Sequence, residues 1–320
     1  MNVIAFGPVP SRRLGQSLGI NNIPPKICTY SCVYCQVGRT LKYQIEREAF
    51  YQPKRTLGDV EKKVKEATSR GEPIDYLAFV PDGEPTLDLN LGKEIQLLKS
   101  LGIRIAVITN GSLVWREEVR DDLSKADWVC LKIDAVSDDI WRRINRNHKS
   151  LQLEKILEGM SEFAHTFRGE LTTETMLVQG INDSREELEN ISDFIAQLGS
   201  GKSYVAIPTR PPAEKRVQPA SEHTVNMAYQ IFDQKSIDVE YLIGYEGNAF
   251  AFTGNVEEDL LSITSVHPMR EDGVSEFLAK AEADWAVVEK LISEQKLLAV
   301  GYEGKRFYTR RLPTLKKSNE

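Results

Sequence analysis

The sequence predicts an α/β protein in which six strand-and-helix units build a parallel sheet, with a small α+β unit after them. Three observations lead there. Short apolar runs alternate with stretches of 3.6-residue apolar period. Glycines 71, 102 and 199 stand where helices should stop, and Asp183 or Ser184 can cap a helix starting near Arg185. The 320 residues exceed the usual size of one domain, which sets a prior of about two.

In chain order, strands are expected over 18–20, 76–80, 103–108, 128–133, 172–178 and 204–207. Leu57, Val60, Val64 and Ala67 mark the buried face of one intervening helix, and Leu188, Ile191, Ile195 and Leu198 that of another. Six units fall two short of a closed eight-stranded barrel. After Ala213 the texture changes to a helix over 222–232, a strand over 239–243, and a glycine-containing stretch over 244–254 where a domain boundary belongs. Helices over 258–266, 274–281 and 284–294, then a hairpin of 297–302 with 306–311, resemble a winged helix, so the expected division is 1–245 and 246–320. In the helix that would read nucleic acid, Asp284, Glu289 and Glu294 outnumber Lys290 and Lys296. From Lys296 onward seven Lys or Arg face only Glu303 and Glu320, read here as a solvated face in preference to a phosphate-binding one.

With 41% hydrophobic and 28% charged residues, the composition is that of an ordinary globular protein, not of a disordered, collagenous or mucin-like chain. No apolar run approaches membrane-spanning length, and residues 1–13 hold two prolines and two arginines where a signal peptide needs an apolar core. A cytoplasmic location without a membrane partner is expected. The net charge of -6 gives no global attraction to nucleic acid.

The four cysteines are unevenly placed: Cys28, Cys32 and Cys35 crowd into eight residues, and Cys130 stands alone. A disulfide scaffold would spread its pairs, whereas x3 then x2 spacing lets one loop aim three thiolates at a single point, which suits a metal centre. Zinc is the weaker alternative, because structural zinc wants four protein ligands and the nearest histidine in sequence is His148. An iron-sulfur cube on three thiolates keeps one iron open for another ligand.

These three cysteines, with the aromatic Tyr34 before the last, resemble the signature of the radical S-adenosylmethionine (SAM) superfamily. The resemblance implies a partial (β/α)6 TIM-like barrel, and a 4Fe-4S cluster whose open iron is chelated by the amino nitrogen and carboxylate of SAM. It also implies reductive cleavage to methionine and a 5'-deoxyadenosyl radical. An electron donor such as flavodoxin or ferredoxin is then a partner.

Further segments are similar to the family pattern in the same order, over roughly residues 6 to 215. Strand two ends in Pro81-Asp82-Gly83-Glu84-Pro85, similar to a Gly-Gly-Glu-Pro motif that binds the SAM amino group, with Asp82 in place of the first glycine. Strand three ends in Thr109-Asn110-Gly111, near the cofactor in the family or else a plain strand-to-helix turn. On strand four the two-residue period sets Val129, Leu131 and Ile133 against Cys130, Lys132 and Asp134. The second set is expected inside the barrel, where Lys132 and Asp134 suit the carboxylate and ribose of SAM, or pair with each other. Gly180 and Asn182, in the segment after strand five, resemble the part of the family that lies over the adenine.

Two residues are candidates for the chemistry itself. Cys130 shares the inward face, although a lone strand cysteine is most often a small core residue. Arg210, at the Pro-rich exit of strand six, suits a carboxylate or phosphate, or else a surface ion pair. Arg12 and Arg13 offer the same chemistry near the start, and the four histidines are read as structural. The phrases Ser11-Arg12-Arg13-Leu14-Gly15 and Thr209-Arg210-Pro211-Pro212 resemble an iron-sulfur oxidoreductase branch neighbouring the wyosine-type tRNA synthetases. Those carry a second cluster that this chain, with only Cys130 left over, cannot build the same way. The substrate stays open between an RNA base, a peptide and a metabolite. A reading of a different class is a module stabilised by zinc or an inert cluster and acting through the winged helix.

Overall fold

The computed structural model describes residues 4–244 and 247–311. The elements follow in order as β1 (Ala5–Ser11), β2 (Gly15–Ile20), α1 (Pro53–Ser69), β3 (Tyr76–Phe79), α2 (Leu91–Leu98), β4 (Arg104–Thr109), α3 (Glu117–Leu123) and β5 (Trp128–Lys132). Then come α4 (Asp138–Asn145), α5 (Leu153–Thr166), β6 (Glu170–Met176), α6 (Arg185–Leu198), β7 (Lys202–Ala206), α7 (Glu222–Gln234) and β8 (Val239–Leu242). The chain continues through α8 (Val256–Val266), β9 (Met269–Arg270), α9 (Glu271–Lys280), α10 (Ala286–Ser293), β10 (Leu297–Tyr302) and β11 (Lys305–Arg310).

Among the described residues, β1 to β8 form one eight-stranded sheet in sequence order. From β2 to β8 every pairing is parallel, and β1 lies antiparallel on the β2 edge. This is the curled, partial TIM-like barrel, with the six expected units at β2 to β7. Two strands extend it. The run over 239–243 joins the sheet as β8, and β1 comes from a segment where no strand was expected, its pattern interrupted by Gly7, Pro8 and Pro10.

The helices form for the expected reasons. Val60 and Ala67 of α1 are buried against the sheet, as are Leu188, Ile191 and Ile195 of α6. The Ser184 hydroxyl accepts the Glu187 backbone N–H and starts α6, while Gly199 ends it in the left-handed region at φ 61°.

The C-terminal unit has three helices among its described residues and a three-stranded sheet in the order β9-β11-β10. Its core, with Phe250, Ile263, Met269, Phe277 and Tyr308, closes over Phe6 and Val9 of β1. The Ala251 backbone N–H donates to the Pro8 carbonyl at 3.0 Å, so this unit covers an edge strand that would otherwise stand open. A buried ion pair of Lys63 on α1 with Asp259 on α8, at 2.6 Å, joins it further to the barrel. The expected boundary at 245 and 246 and the tail over 312–320 lie outside the described residues. No helix among the described residues is long and apolar enough to cross a membrane.

Candidate active site

Parallel strands deliver side chains at their C-terminal ends, and here those ends surround a cavity of about 260 Å³. All three clustered cysteines line it, with Tyr34, Gly83, Glu84, Thr109, Asn110, Lys132 and Arg210. Residues up to 182 positions apart thus meet in one concavity.

Three sides hold the cysteine loop in place. The Lys26 N–H donates to the Asp82 carbonyl at 2.9 Å and the Glu84 N–H to the Ile27 carbonyl at 3.2 Å, stitching the loop to the turn after β3. From the β4 exit, Asn110 Nδ2 and Ser112 Oγ donate to Thr29 Oγ1 at 2.8 and 2.7 Å. At the end of α4 the Asn145 and Ile144 carbonyls accept the N–H groups of Ser31 and Val33. Polar hydrogens also reach the sulfurs: Asn145 Nδ2 lies 3.3 Å from Cys32 Sγ and Asn110 Nδ2 3.6 Å from Cys28 Sγ.

The thiols are partly exposed to the cavity and closely surrounded. Burial pushes the Cys28 thiol up to about 12, with the Glu84 carboxylate adding to the rise, and burial raises Cys32 likewise. Each is a neutral thiol until a cation arrives, which is the behaviour of a ligand set that takes its metal with loss of protons. Among the described residues no group of three His, Cys, Asp or Glu is spaced to hold a single metal ion. Three thiols of one loop around one cavity are a donor set that suits an iron-sulfur cluster with one iron left open.

Glu84 is buried and fully engaged. Its Oε1 accepts the hydroxyls of Thr86 and Thr109, each at 2.6 Å, and its Oε2 accepts the Asn110 N–H at 2.8 Å. It ties the ends of β3 and β4 together, and Pro85 opens the short turn that follows. Asp82, which departs from the family pattern, is buried too, and its Oδ1 finds no hydrogen-bond partner among the described residues. Burial pushes its carboxyl up to about 7, against the pull of Lys26 and Arg310. The unfolded chain ionises this group near its ordinary value of about 4. Stability is therefore lost as pH rises from that value to about 7, where the folded state also ionises. In urea unfolding at pH 5 and pH 8, wild type should lose on the order of 3 kcal/mol more than Asp82→Asn. Equal losses would show that Asp82 is already ionised in the folded chain at pH 5.

Lys132 points inward as its strand position requires, but its partner is Glu174 of β6, at 2.5 Å. Glu174 is also paired with Arg13, so one buried carboxylate serves two cations at the cavity wall. The β5 to β6 register sets Lys132 beside Glu174. Glu174 was missed in the sequence; the available signal was a carboxylate in mid-strand, flanked by threonines, where Glu170 stands at the exposed start.

Asp134 lies beyond the end of β5, so the strand alternation no longer governs it. Its carboxylate turns behind the cysteine loop, accepting from Tyr34 Oη, from Asn145 Nδ2 at 2.7 Å and from the Met176 N–H at 3.0 Å. Asn182 braces the same region, donating to the carbonyls of Asp134 and Met176 at 2.8 Å each. Gly180 sits outside the cavity, on the rim of a second concavity. Neither Asp134 nor the 180–182 turn lines the cavity.

Cys130 faces the barrel interior, yet is fully buried among Leu14, Ala78, Ala106, Trp128 and Tyr204, and does not line the cavity. It stands two residues below Lys132 on the same face, in a packed layer. Arg210 does line the cavity, donating to Gln36 Oε1 at 3.0 Å with its other terminal nitrogen 2.8 Å from His267 Nε2. Gln36 was not singled out in the sequence and His267 was read as structural, because nothing local links a loop residue after Cys35 to the end of α8.

Comparison with known proteins agrees with this geometry. The family model of the radical SAM superfamily matches residues 22–195. A UPF0026 protein of Methanocaldococcus jannaschii is 47% identical over 317 residues, 98% of each chain. A UPF0026 protein of Helicobacter pylori is 33% identical over 216 residues, 66% of this chain and 68% of its own. Among solved structures, a radical SAM methyltransferase from Sphaerobacter thermophilus superposes with a TM-score of 0.55 at 15% identity, covering 71% of this chain and 66% of its own. TYW1 with a lysine-pyruvate adduct bound gives 0.53 at 17%, covering 68% and 73%. At these identities the two structures speak for the fold alone. Three clustered thiols at the open end of a partial barrel, with a family match over more than half its length, show that this chain belongs to the radical SAM superfamily of iron-sulfur, SAM-binding enzymes.

Proposed function

We propose that the protein holds a 4Fe-4S cluster on Cys28, Cys32 and Cys35 and binds SAM in the adjoining cavity. The observation that carries this reading is the convergence of the three thiols, the 82–85 turn and Lys132 on one concavity. The bound cluster supplies the electron that cleaves SAM to methionine and a 5'-deoxyadenosyl radical.

The chain's own residues do the rest. The thiols lose their protons on metal binding, and the N–H groups of Asn110 and Asn145 near the sulfurs orient the ligands and raise the reduction potential. Lys132, held by Glu174 and stacked 5.3 Å above the Tyr34 ring, offers an ammonium to the SAM carboxylate. Gly83, Thr109 and Asn110 supply the wall against the amino end. Asp134, Gly180 and Asn182 act from behind, fixing Tyr34 and the strand exits. Arg210 meets the substrate at the rim, and Cys130 takes no part in the chemistry. The enzyme works in the cytoplasm with a flavodoxin or ferredoxin as electron donor.

Anaerobic reconstitution followed by metal and sulfide analysis tests the reading. About four irons per chain, with matching sulfide, are expected. One zinc per chain and no iron uptake would overturn it.

A further inference from the structure

Outside the cysteine loop lies a second concavity, of about 380 Å³, lined by Arg142, Arg143, Arg146 and Arg216 with the 178–181 turn. The end of α4 and the loops after β6 and β7 form it. Arg142 and Arg143 come from the last turn of α4, Arg146 caps that helix in the left-handed region at φ 46°, and Arg216 follows β7. Arg142 pairs with Asp138 at 2.6 Å, and Arg146 and Arg39 share Glu214 at 2.7 and 2.8 Å. Asp183 is turned onto the Gly180 N–H, whose carbonyl accepts from Arg143 at 2.9 Å. Arg216 is exposed and has no carboxylate partner among the described residues.

The chemistry of this surface is selective. Its cations sit together in a chain whose net charge is -6, so they are a local exception to the overall charge. Guanidinium forks match phosphate oxygens two at a time. Of its apolar members Val178 and Val217 are buried and Ile181 is half-buried against the core, and none of the exposed large apolar side chains of the described residues lies here. A protein partner would want aromatic or aliphatic anchors at the centre of its footprint. A phosphodiester backbone wants what is present.

Placement connects this surface to the cavity. Asn145, next to Arg146, reaches Cys32 Sγ, and the Glu214 N–H donates to the Val33 carbonyl at 3.0 Å. One loop runs from Arg210 in the cavity wall to Arg216 here, a span of at most about 20 Å for six residues. We propose that the arginine concavity grips the phosphodiester backbone of an RNA and presents one of its nucleotides to the cavity, where the radical chemistry proposed above would act on it.

The test is fluorescence anisotropy of a labelled mixed-sequence 20-mer RNA with the reconstituted holoenzyme across a salt series. Wild type is compared with the Arg142→Gln, Arg143→Gln, Arg216→Gln triple variant and with its Lys counterpart. The Gln variant should bind at least about 10-fold more weakly, with a log–log salt slope shallower by about 2, since each lost phosphate contact removes roughly 0.7 to 0.9. The Lys variant should recover the slope and only part of the affinity, because it keeps charge without the fork. Identical affinity and slope in wild type and the Gln variant overturn the proposal, as does a wild type that ignores RNA. Thermal stabilisation by adenosine monophosphate or inorganic phosphate without RNA binding overturns it in favour of a small phosphorylated ligand. Formation of 5'-deoxyadenosine without RNA is measured in parallel and reports on the cavity alone. Its failure with RNA binding intact would refute the radical SAM reading and leave the RNA site standing.

Discussion

Cys32→Ala should abolish SAM cleavage and most iron uptake, while Cys130→Ala should keep both. Cys32 lines the cavity and receives Asn145 Nδ2 at 3.3 Å; without it two thiolates remain, too few to hold a cluster with one open iron. Formation of 5'-deoxyadenosine should fall to the level of a protein-free control. Cys130 sits in a layer of apolar packing beneath the cavity, so its replacement removes one small buried group and costs about 1 kcal/mol of stability. Iron content, product yield and urea unfolding of the two variants check this. A Cys130→Ala protein that binds cluster and SAM but forms no product would return that residue to the chemistry.

Gly83→Ala is the second large effect, and it acts through backbone. A methyl group at Gly83 would lie 1.9 Å from the Ile27 carbonyl oxygen and 2.8 Å from Ile23 Cδ1. The side chain can give way, but the carbonyl cannot. It accepts the Glu84 N–H, and the neighbouring Lys26 N–H is bonded to the Asp82 carbonyl. Making room means pulling the cysteine loop off the turn, with Cys28 one residue away from the point of collision. A loss of about 1 to 3 kcal/mol, as for other overpacked sites, is expected, together with a several-fold drop in iron incorporation. Calorimetry and iron analysis on the same preparation read both. A variant that matched wild type in both would mean that the loop and turn are not locked together.

The parallel sheet was legible because strands buried on both faces read as plain apolar runs. The cysteine spacing was legible because three ligands on one loop are a local pattern. What escaped was non-local. β1 carries Gly7, Pro8 and Pro10 and earns its place only by pairing with β2 and burying Phe6 and Val9 under the C-terminal unit. Glu174 acquires meaning only from the register that sets it beside Lys132. Alternation along β5 gave the right face for Cys130 and Lys132 but not their height in the barrel, and height separates a packed layer from a cavity wall. Asp134 escaped for a different reason: the strand ends at Lys132, and two residues of loop are enough to turn a carboxylate behind the cysteine loop instead of into the barrel.

The central claim is that the three thiols and the cavity beside them cleave SAM reductively. Reconstituted protein, given dithionite and SAM under anaerobic conditions, should release 5'-deoxyadenosine and methionine in equal amounts, measured by mass-resolved chromatography. No 5'-deoxyadenosine from protein that demonstrably holds both cluster and SAM would contradict it.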